Sequence, residues 1–291
     1  MIQTLFDYFV KLFYFVKFFE KMIMQEGFHN HITSDTIVED RSDNLLVLAN
    51  GPSLRNTLDD IYSGKIKREN CCMVNYTVNT DDFYKIKPEY YIISDPKFYV
   101  RGKYHREAVD KVYENLNAIT WKMNVYIQYT WYKDKEYMRL FKNENLNVVP
   151  MHTREYNGFE CLRNWLMKHD IGGANFGTVI HHAIHVGVLL GYKEVHLYGA
   201  DHTFFTGICV TDDNILCRET NHVYGTDTAP KPIYWFDPIT GERHSHNMAS
   251  FLHEYANLFD GHIKMKKFSD YMGVRVINKT EVSLLDVFPR K

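Results

Sequence analysis

The feature that most constrains this chain is an alternation. Short apolar, β-branched runs recur at Leu45–Leu48, Cys72–Asn75, Tyr90–Ile93, Val125–Ile127, Val195–Leu197 and Val274–Ile277, with helical patterns between them. Strands that alternate with helices imply an α/β fold, with a mainly parallel sheet and helices on both faces. The clearest helix is "GTVIHHAIHVGVLLG", residues 177–191, where apolar positions recur at helical spacing and Gly191 stands where a C-terminal cap belongs. A chain of 291 residues suffices for one large domain or two small ones. The one boundary in the composition falls near residue 44, which predicts an N-terminal segment over 1–43 and a globular α/β domain over 44–291.

The first 24 residues, "MIQTLFDYFVKLFYFVKFFEKMIM", look at first like a signal peptide or a membrane span. Lys11, Lys17, Glu20 and Lys21 interrupt every apolar run, so none reaches the roughly 20 apolar residues a span needs. No small-residue cleavage site follows. At ~100° per residue, Gln3, Asp7, Lys11, Lys17 and Lys21 share about a third of the helix circumference, and Phe, Leu, Tyr, Val and Met fill the rest. The expectation is an amphipathic helix lying on a membrane surface through residues 1–24. The alternative is a helix packed on the domain or on a partner subunit. Residues 25–43 are polar and acidic and read as a linker.

In parallel α/β sheets, ligands bind beyond the carboxyl ends of the strands. After the first predicted strand comes Asn50-Gly51-Pro52-Ser53; after the second, Asn75; after the third, Ser94-Asp95-Pro96; and after the strand at Val195, Gly199-Ala200-Asp201-His202. Small and hydrogen-bonding residues at all four ends predict a polar crevice, although helix caps and turns account for part of the pattern. The first turn lacks Gly-x-x-x-x-Gly-Lys-Ser/Thr, which argues against a P-loop, and lacks Gly-x-Gly-x-x-Gly, which weakens a nicotinamide or flavin reading. A single glycine followed by Pro and Ser still lets a backbone N–H and a hydroxyl approach a phosphate.

Charge and metal-binding patterns narrow the classes. A formal net charge of -2, from 34 basic and 36 acidic residues, gives no global signal for nucleic acid. The five cysteines form no C-x-x-C pair, which argues for a reducing compartment and against a zinc finger. His181 and His185 share a helix face, but without the Glu of H-E-x-x-H they read as structural histidines. Asp81-Asp82 and Asp212-Asp213 read as solvated loop acids. No metal is assigned.

"LANGPSL", "NFGTVIHHAIHVGVLLGYKEVHLYGADHTFF" and "GVRVINKTEVSLLDVFPR" together resemble one superfamily. It comprises the bacterial sialyltransferases of glycosyltransferase family 42, the motility accessory factor glycosyltransferases and the MptE-like 6-hydroxymethylpterin diphosphokinases. The resemblance covers most of residues 44–291, and its most specific piece is "LGYKEVHLYGAD". It implies a Rossmann-like domain that binds a nucleotide, which in the sialyltransferases is CMP-sialic acid. By motif, Asn50, Gly51 and Ser53 match the loop at the donor phosphate and ribose, and Asn75 matches a nucleotide-contacting asparagine. Asp95 stands where the family has an asparagine, and a carboxylate only accepts hydrogen bonds where an amide also donates. Asn175 and Gly177 stand near the cytidine loop, without its hydroxyls, and Gly199 and Asp201 match the Gly-x-Asp directly. The family's leaving-phosphate tyrosines are replaced by Thr203, Phe204 and Phe205, with Tyr224 or Tyr234 as substitutes.

Inverting sugar transfer needs a base for the acceptor hydroxyl and stabilisation of the departing phosphate. The family's histidine follows a Gly and precedes a helix, a setting that "DGHIKMKKF" offers through His262; "RHSHNM" offers His246 and His244 as rivals. The long stretch 211–246 predicts a lid or acceptor-binding insertion, with Tyr234 and Trp235 placed to stack on a sugar. The resulting expectation is a cytoplasmic enzyme, peripheral at the inner membrane face. It moves a sugar from a nucleotide-sugar donor, a CMP-linked sialic acid or related nonulosonate among the options, to a cell-surface glycan or lipid-linked acceptor. No cofactor is expected and nucleic acid is not a partner; a homo-oligomer stays open. The alternatives are a diphosphokinase using ATP, Mg²⁺ and a pterin, or a nucleotide-binding scaffold without catalysis.

Overall fold

The computed structural model describes residues 2–23, 31–32, 41–102, 105–174, 176–222, 225–237 and 242–290. Its elements in chain order are α1 (Ile2–Lys21), β1 (Asn44–Leu48), α2 (Leu54–Tyr62), β2 (Asn70–Val74), α3 (Asp81–Ile86), β3 (Tyr90–Ile93), α4 (Pro96–Val100), α5 (Arg106–Asn117) and β4 (Met123–Gln128). There follow α6 (Tyr129–Tyr132), α7 (Lys135–Met138), β5 (Leu146–Met151), α8 (Glu160–Lys168), α9 (Val179–Leu189), β6 (Glu194–Tyr198), β7 (Ile208–Val210), β8 (Leu216–His222) and β9 (Gly225–Pro232). The chain closes with β10 (Tyr234–Phe236), β11 (Arg243–Ser245), α10 (Met248–Met272) and β12 (Arg275–Asn278).

Seven strands form one sheet in the order β12-β6-β1-β2-β3-β4-β5, and every neighbouring pair is parallel. The expected α/β, Rossmann-like sheet is therefore what the chain builds. Alternation along each strand splits the core into two layers. Leu45, Val47, Cys72, Val74, Val195 and Leu197 face α9 and α10 on one side. Leu46, Leu48, Cys71, Met73, Tyr91 and Ile93 face α2, α3 and α5 on the other. From β1 the chain steps outward through β2, β3, β4 and β5, then returns to place β6 on the opposite side of β1. The order thus reverses between β1 and β6.

All six strands read from the sequence are present, β3 with the same bounds and the others shifted by at most two residues at an end. The sheet has a seventh, β5, whose Asn147 and Pro150 interrupt the apolar run. Helix α9 is buried on all sides from Ile180 to Val188, and Gly191 follows it in the left-handed region at φ +75°. The 211–246 stretch contains antiparallel ribbons: β8 and β9 pair, with β7 just ahead of the stretch on the other edge of β8, and β10 pairs with β11.

Helix α1 lies on the domain by one edge. Phe18 and Met22 are buried with Tyr156, Leu166 and Ile171. Tyr8 meets the Phe159 ring edge-on at 5.5 Å, and the Lys11 ammonium lies 5.9 Å from that ring's centre. The opposite face carries Leu5, Phe6, Phe9, Leu12, Phe13 and Val16, each at least half exposed. Among the described residues, no helix is long and apolar enough to cross a membrane. Parts of the expected linker are anchored to the domain. Ile32 is buried in the main core, His31 stacks on Tyr129, and the Arg41 guanidinium lies 4.3 Å from the Tyr192 ring centre. Residues 24–30 and 33–40 of that stretch lie outside the described residues.

Candidate active site

Where the strand order reverses, the β1 and β6 loops are interlocked. The Gly51 amide donates to the Gly199 carbonyl at 2.8 Å. The Ser53 hydroxyl donates to Asp201 Oδ2 at 2.9 Å, and the Ser53 amide reaches Oδ1 at 3.3 Å. Only glycine fits at position 51, since a Cβ there would lie 1.8 Å from Asp201 Oδ2 and 2.4 Å from the Gly199 carbonyl oxygen. Gly199 itself takes φ +66°, open to glycine at no steric cost. This geometry changes how the turn has to be read. The donors of Gly51 and Ser53 are spent inside the interlock, so neither is free for a phosphate. Asp201, whose carboxyl burial pushes upward in pKa, braces the Ser53 loop. Asn50, beside them, has its Oδ1 buried without a hydrogen-bond partner.

Two adjoining cavities open from this floor. The first, of about 310 Å³, is lined by Asn50, Gly51, Gly199, Asp201 and His202 from the loops, by Thr178 to Ile180 from the start of α9, and by Arg218 from β8. The second, of about 870 Å³, lies over the ends of β2 and β3. Thr178, Val179 and Phe204 line both, so the two form one crevice. The Thr178 hydroxyl caps α9 by accepting from the Ile180 amide, and the helix directs the positive end of its dipole at the crevice.

Asn75 lines the second cavity in the left-handed region at φ +50°, a conformation that asparagine tolerates better than most residues. The Tyr91 hydroxyl fixes it by donating to its carbonyl. Its side-chain Oδ1, like that of Asn50, is buried without a partner. Asp95 caps α4 by accepting from the Lys97 amide and pairs with the Lys97 ammonium at 2.9 Å, so its carboxylate is neutralised at the cavity wall. Gly177 passes so close to α10 that a Cβ would stand 3.3 Å from Leu258 Cα. Asn175 and Tyr224 lie outside the described residues.

The histidines separate into distinct settings. His262 does not precede a helix as expected. It lies in the interior of α10, fully buried, and lines neither cavity. Its Nε2 instead stands 2.9 Å from Nε2 of His202, which does line the first cavity. The direct acceptor-base role expected of His262 is therefore not open to it in this geometry. His246 lines the second cavity, with Nε2 3.1 Å from Glu254 and Nδ1 3.0 Å from the Ser250 hydroxyl. His181, His182 and His185 are buried in α9; His182 stacks on Phe176 at 4.5 Å, and His185 faces Asp170 at 3.5 Å. Burial pushes the His182 imidazole down to about 3.

The 211–246 stretch contributes one wall of the second cavity through Tyr234, Trp235, Asp237 and His246. The Arg243 guanidinium lies 4.0 Å from the Tyr234 ring centre, and Trp235 stacks on His244 at 4.6 Å. Several crevice residues carried no motif in the sequence. Arg218 donates to the Phe204 carbonyl at 3.3 Å and lies beside the Tyr255 hydroxyl, and Tyr255 packs on Phe204 at 4.4 Å. Tyr255 thus brings a phenol to the Phe204 side of the crevice. Thr178, just before the apolar run of α9, had a legible cap signal; Arg218 and Tyr255 had none.

Neither a family model nor a curated protein matches this chain. Among solved structures it is similar to MAf glycosyltransferase from Magnetospirillum magneticum AMB-1, at 13% identity and a TM-score of 0.48, over 91% of this chain and 35% of that one. The chain thus spans about a third of that protein's length.

Proposed function

We propose that this chain is a glycosyltransferase that binds a nucleotide-sugar donor across the first cavity and the Asn75 end of the second, and an acceptor in the rest of the second. The observation that carries the reading is the pair of buried, unpartnered amide oxygens on Asn50 and Asn75, at the ends of adjacent strands beside the reversal of strand order. A buried acceptor without a donor costs about 1–3 kcal/mol. A ribose or a base supplies hydroxyl and amino donors to such oxygens. The start of α9 and Arg218 favour the negative charge of the attached phosphate.

In the transfer, an acceptor hydroxyl attacks the anomeric carbon, and the bond from that carbon to the phosphate oxygen breaks with its electron pair leaving on the phosphate. His246 is the group placed for the hydroxyl proton. Glu254 holds its Nε2, and an acceptor hydroxyl meets Nδ1 once Ser250 Oγ, which caps α10 with Asn247 and lies 3.0 Å from that nitrogen, turns aside. Transfer of the proton to Nδ1 then leaves an imidazolium paired with Glu254. Arg218 and the α9 terminus stabilise the departing phosphate. The donor within this reading is CMP-linked, with sialic acid or a related nonulosonate as the sugar, and the acceptor is a glycan or lipid-linked sugar. Helix α1, with its exposed apolar face and Lys17 and Lys21, lies in the interface of the cytoplasmic membrane face.

The test is a thermal-shift series on the full chain with CMP, UDP, GDP and ATP, each with and without Mg²⁺. A ligand at 100 times its dissociation constant adds about 2.7 kcal/mol of stability. A shift with CMP that needs no Mg²⁺ is expected. A shift confined to ATP with Mg²⁺ would replace this reading with the diphosphokinase, and no shift with any nucleotide would overturn the binding step itself.

A further inference from the structure

His202 occupies a conformation that needs explaining. It follows Asp201 at the end of β6, at φ +52°, in the left-handed region that non-glycine residues mostly avoid. Strained residues of this kind persist where surrounding contacts over-determine them. Here the contact is His262, whose Nε2 lies 2.9 Å from His202 Nε2, inside a layer closed by the His181 ring at 4.1 Å and by Phe288 at 5.8 Å from His262.

Two facing imidazole nitrogens can share only one proton between neutral rings, so one donates and the other accepts. The buried environment decides which. His262 Nδ1 is buried with no partner. A lone pair left unpaired there costs less than an orphaned N–H, and orphaned buried N–H groups are rare. His262 therefore carries its proton on Nε2 and donates it to His202 Nε2. That assignment leaves the His202 proton on Nδ1, the nitrogen remaining for the cavity the ring lines. Burial pushes the His202 imidazole down to about 4 and His262 well below its ordinary range, so both rings are neutral at pH 7.

We propose that His202 is a ligand-contacting hydrogen-bond donor in the first cavity, that His262 is a positioning residue fixing its Nδ1–H tautomer, and that the acceptor is a phosphate oxygen of the bound nucleotide. This rests on the nucleotide reading above. The phosphate is the matching partner because the other groups in the same cavity, the start of α9 and Arg218, also favour negative charge, while the Asp201 carboxylate is held by Ser53. The pair does not act as an acid or base. It offers a fixed dipole at the charge that grows on the leaving phosphate.

The experiment combines ¹⁵N-imidazole NMR with calorimetric titration of the full chain, comparing CMP with cytidine, UDP with uridine, GDP with guanosine, and pyrophosphate alone. In the unaltered protein His202 is expected to carry its proton on Nδ1. His202→Ala should lower affinity for the bound nucleotide about tenfold and leave its nucleoside unchanged. His262→Phe should move the His202 tautomer and lower nucleotide affinity in the same direction. His262→Gln, whose amide still donates to His202, should restore both. An Nε2–H tautomer in the free and ligand-bound protein, or an unchanged nucleotide-to-nucleoside ratio in His202→Ala, overturns the proposal while leaving nucleotide binding intact. Binding of pyrophosphate that depends on His202, without binding of any nucleotide, would keep the proposal and overturn the nucleotide reading. Binding of neither would overturn both. Should His262→Phe not fold, His202→Ala and the tautomer assignment decide the question.

Discussion

Asn50 and Asn75 carry oxygens that gain nothing from the fold, and this separates their variants from ordinary core changes. Asn50→Ala removes a buried acceptor that has no donor, so the free protein should lose no stability. Its nucleotide affinity should fall about tenfold. Parallel urea denaturation and nucleotide titration check this; a large loss of stability would show that the oxygen had a structural partner. Gly51→Ala should behave in the opposite way. The new methyl meets Asp201 and the Gly199 carbonyl, and the cost should be about 3 kcal/mol or more, read as a drop in the urea midpoint. Asn50, Asn75 and Asp201 were legible as strand-end polar residues. What they do was not, because Ser53 and Asp201 meet across 148 positions of sequence and only the three-dimensional reversal of strand order brings them together. His202 was visible beside Asp201, but its partner His262 sits in a helix whose length gave no local sign of that contact.

Among the elements, α1 offers the sharpest contrast between its two faces. Phe9→Glu with Phe13→Glu alters exposed positions only, so the melting temperature should hold while co-sedimentation with anionic phospholipid vesicles is lost. Retained sedimentation of this variant would show that the exposed face of α1 is not the membrane contact. His246, just ahead of α10, lines the second cavity together with Ser250 and Glu254 of that helix. His246→Ala should lower turnover about 10²–10⁴-fold with little change in nucleotide affinity, measured by comparing initial rates with titrations. Strands β1, β2 and β3 were readable because burial on both faces makes them almost wholly apolar, and β4, β6 and β12 from shorter apolar stretches between polar residues. Strand β5 lies at the sheet edge, where Asn147 and Pro150 are tolerated. The ribbons of 211–246 escaped because their residues answer to the crevice rather than to a core.

At the scale of the whole molecule, the buried histidines couple folding to pH. His182, His202 and His262 each take a folded pKa below the ordinary 6.5, because burial penalises the imidazolium. Between the unfolded and folded values the unfolded chain binds more protons, so stability is complete above about pH 6.5 and falls as the pH drops toward about 4, where His202 titrates. Each such group contributes up to about 1.4 kcal/mol per pH unit in that window. Urea unfolding at pH 7.5, 6 and 5 should show the decline, and His182→Phe should flatten it; a stability constant from pH 7.5 to 5 would refute it.

The interlock of Gly51, Ser53, Gly199 and Asp201 also has a bearing on how such a crevice can change over generations. Each of its four members is held by the others, so a single replacement meets either a collision or an abandoned partner. The ribbon wall carrying Tyr234 and Trp235 answers to fewer neighbours. A lineage built on this chain would inherit the floor of the crevice nearly intact and do its experimenting on the wall opposite.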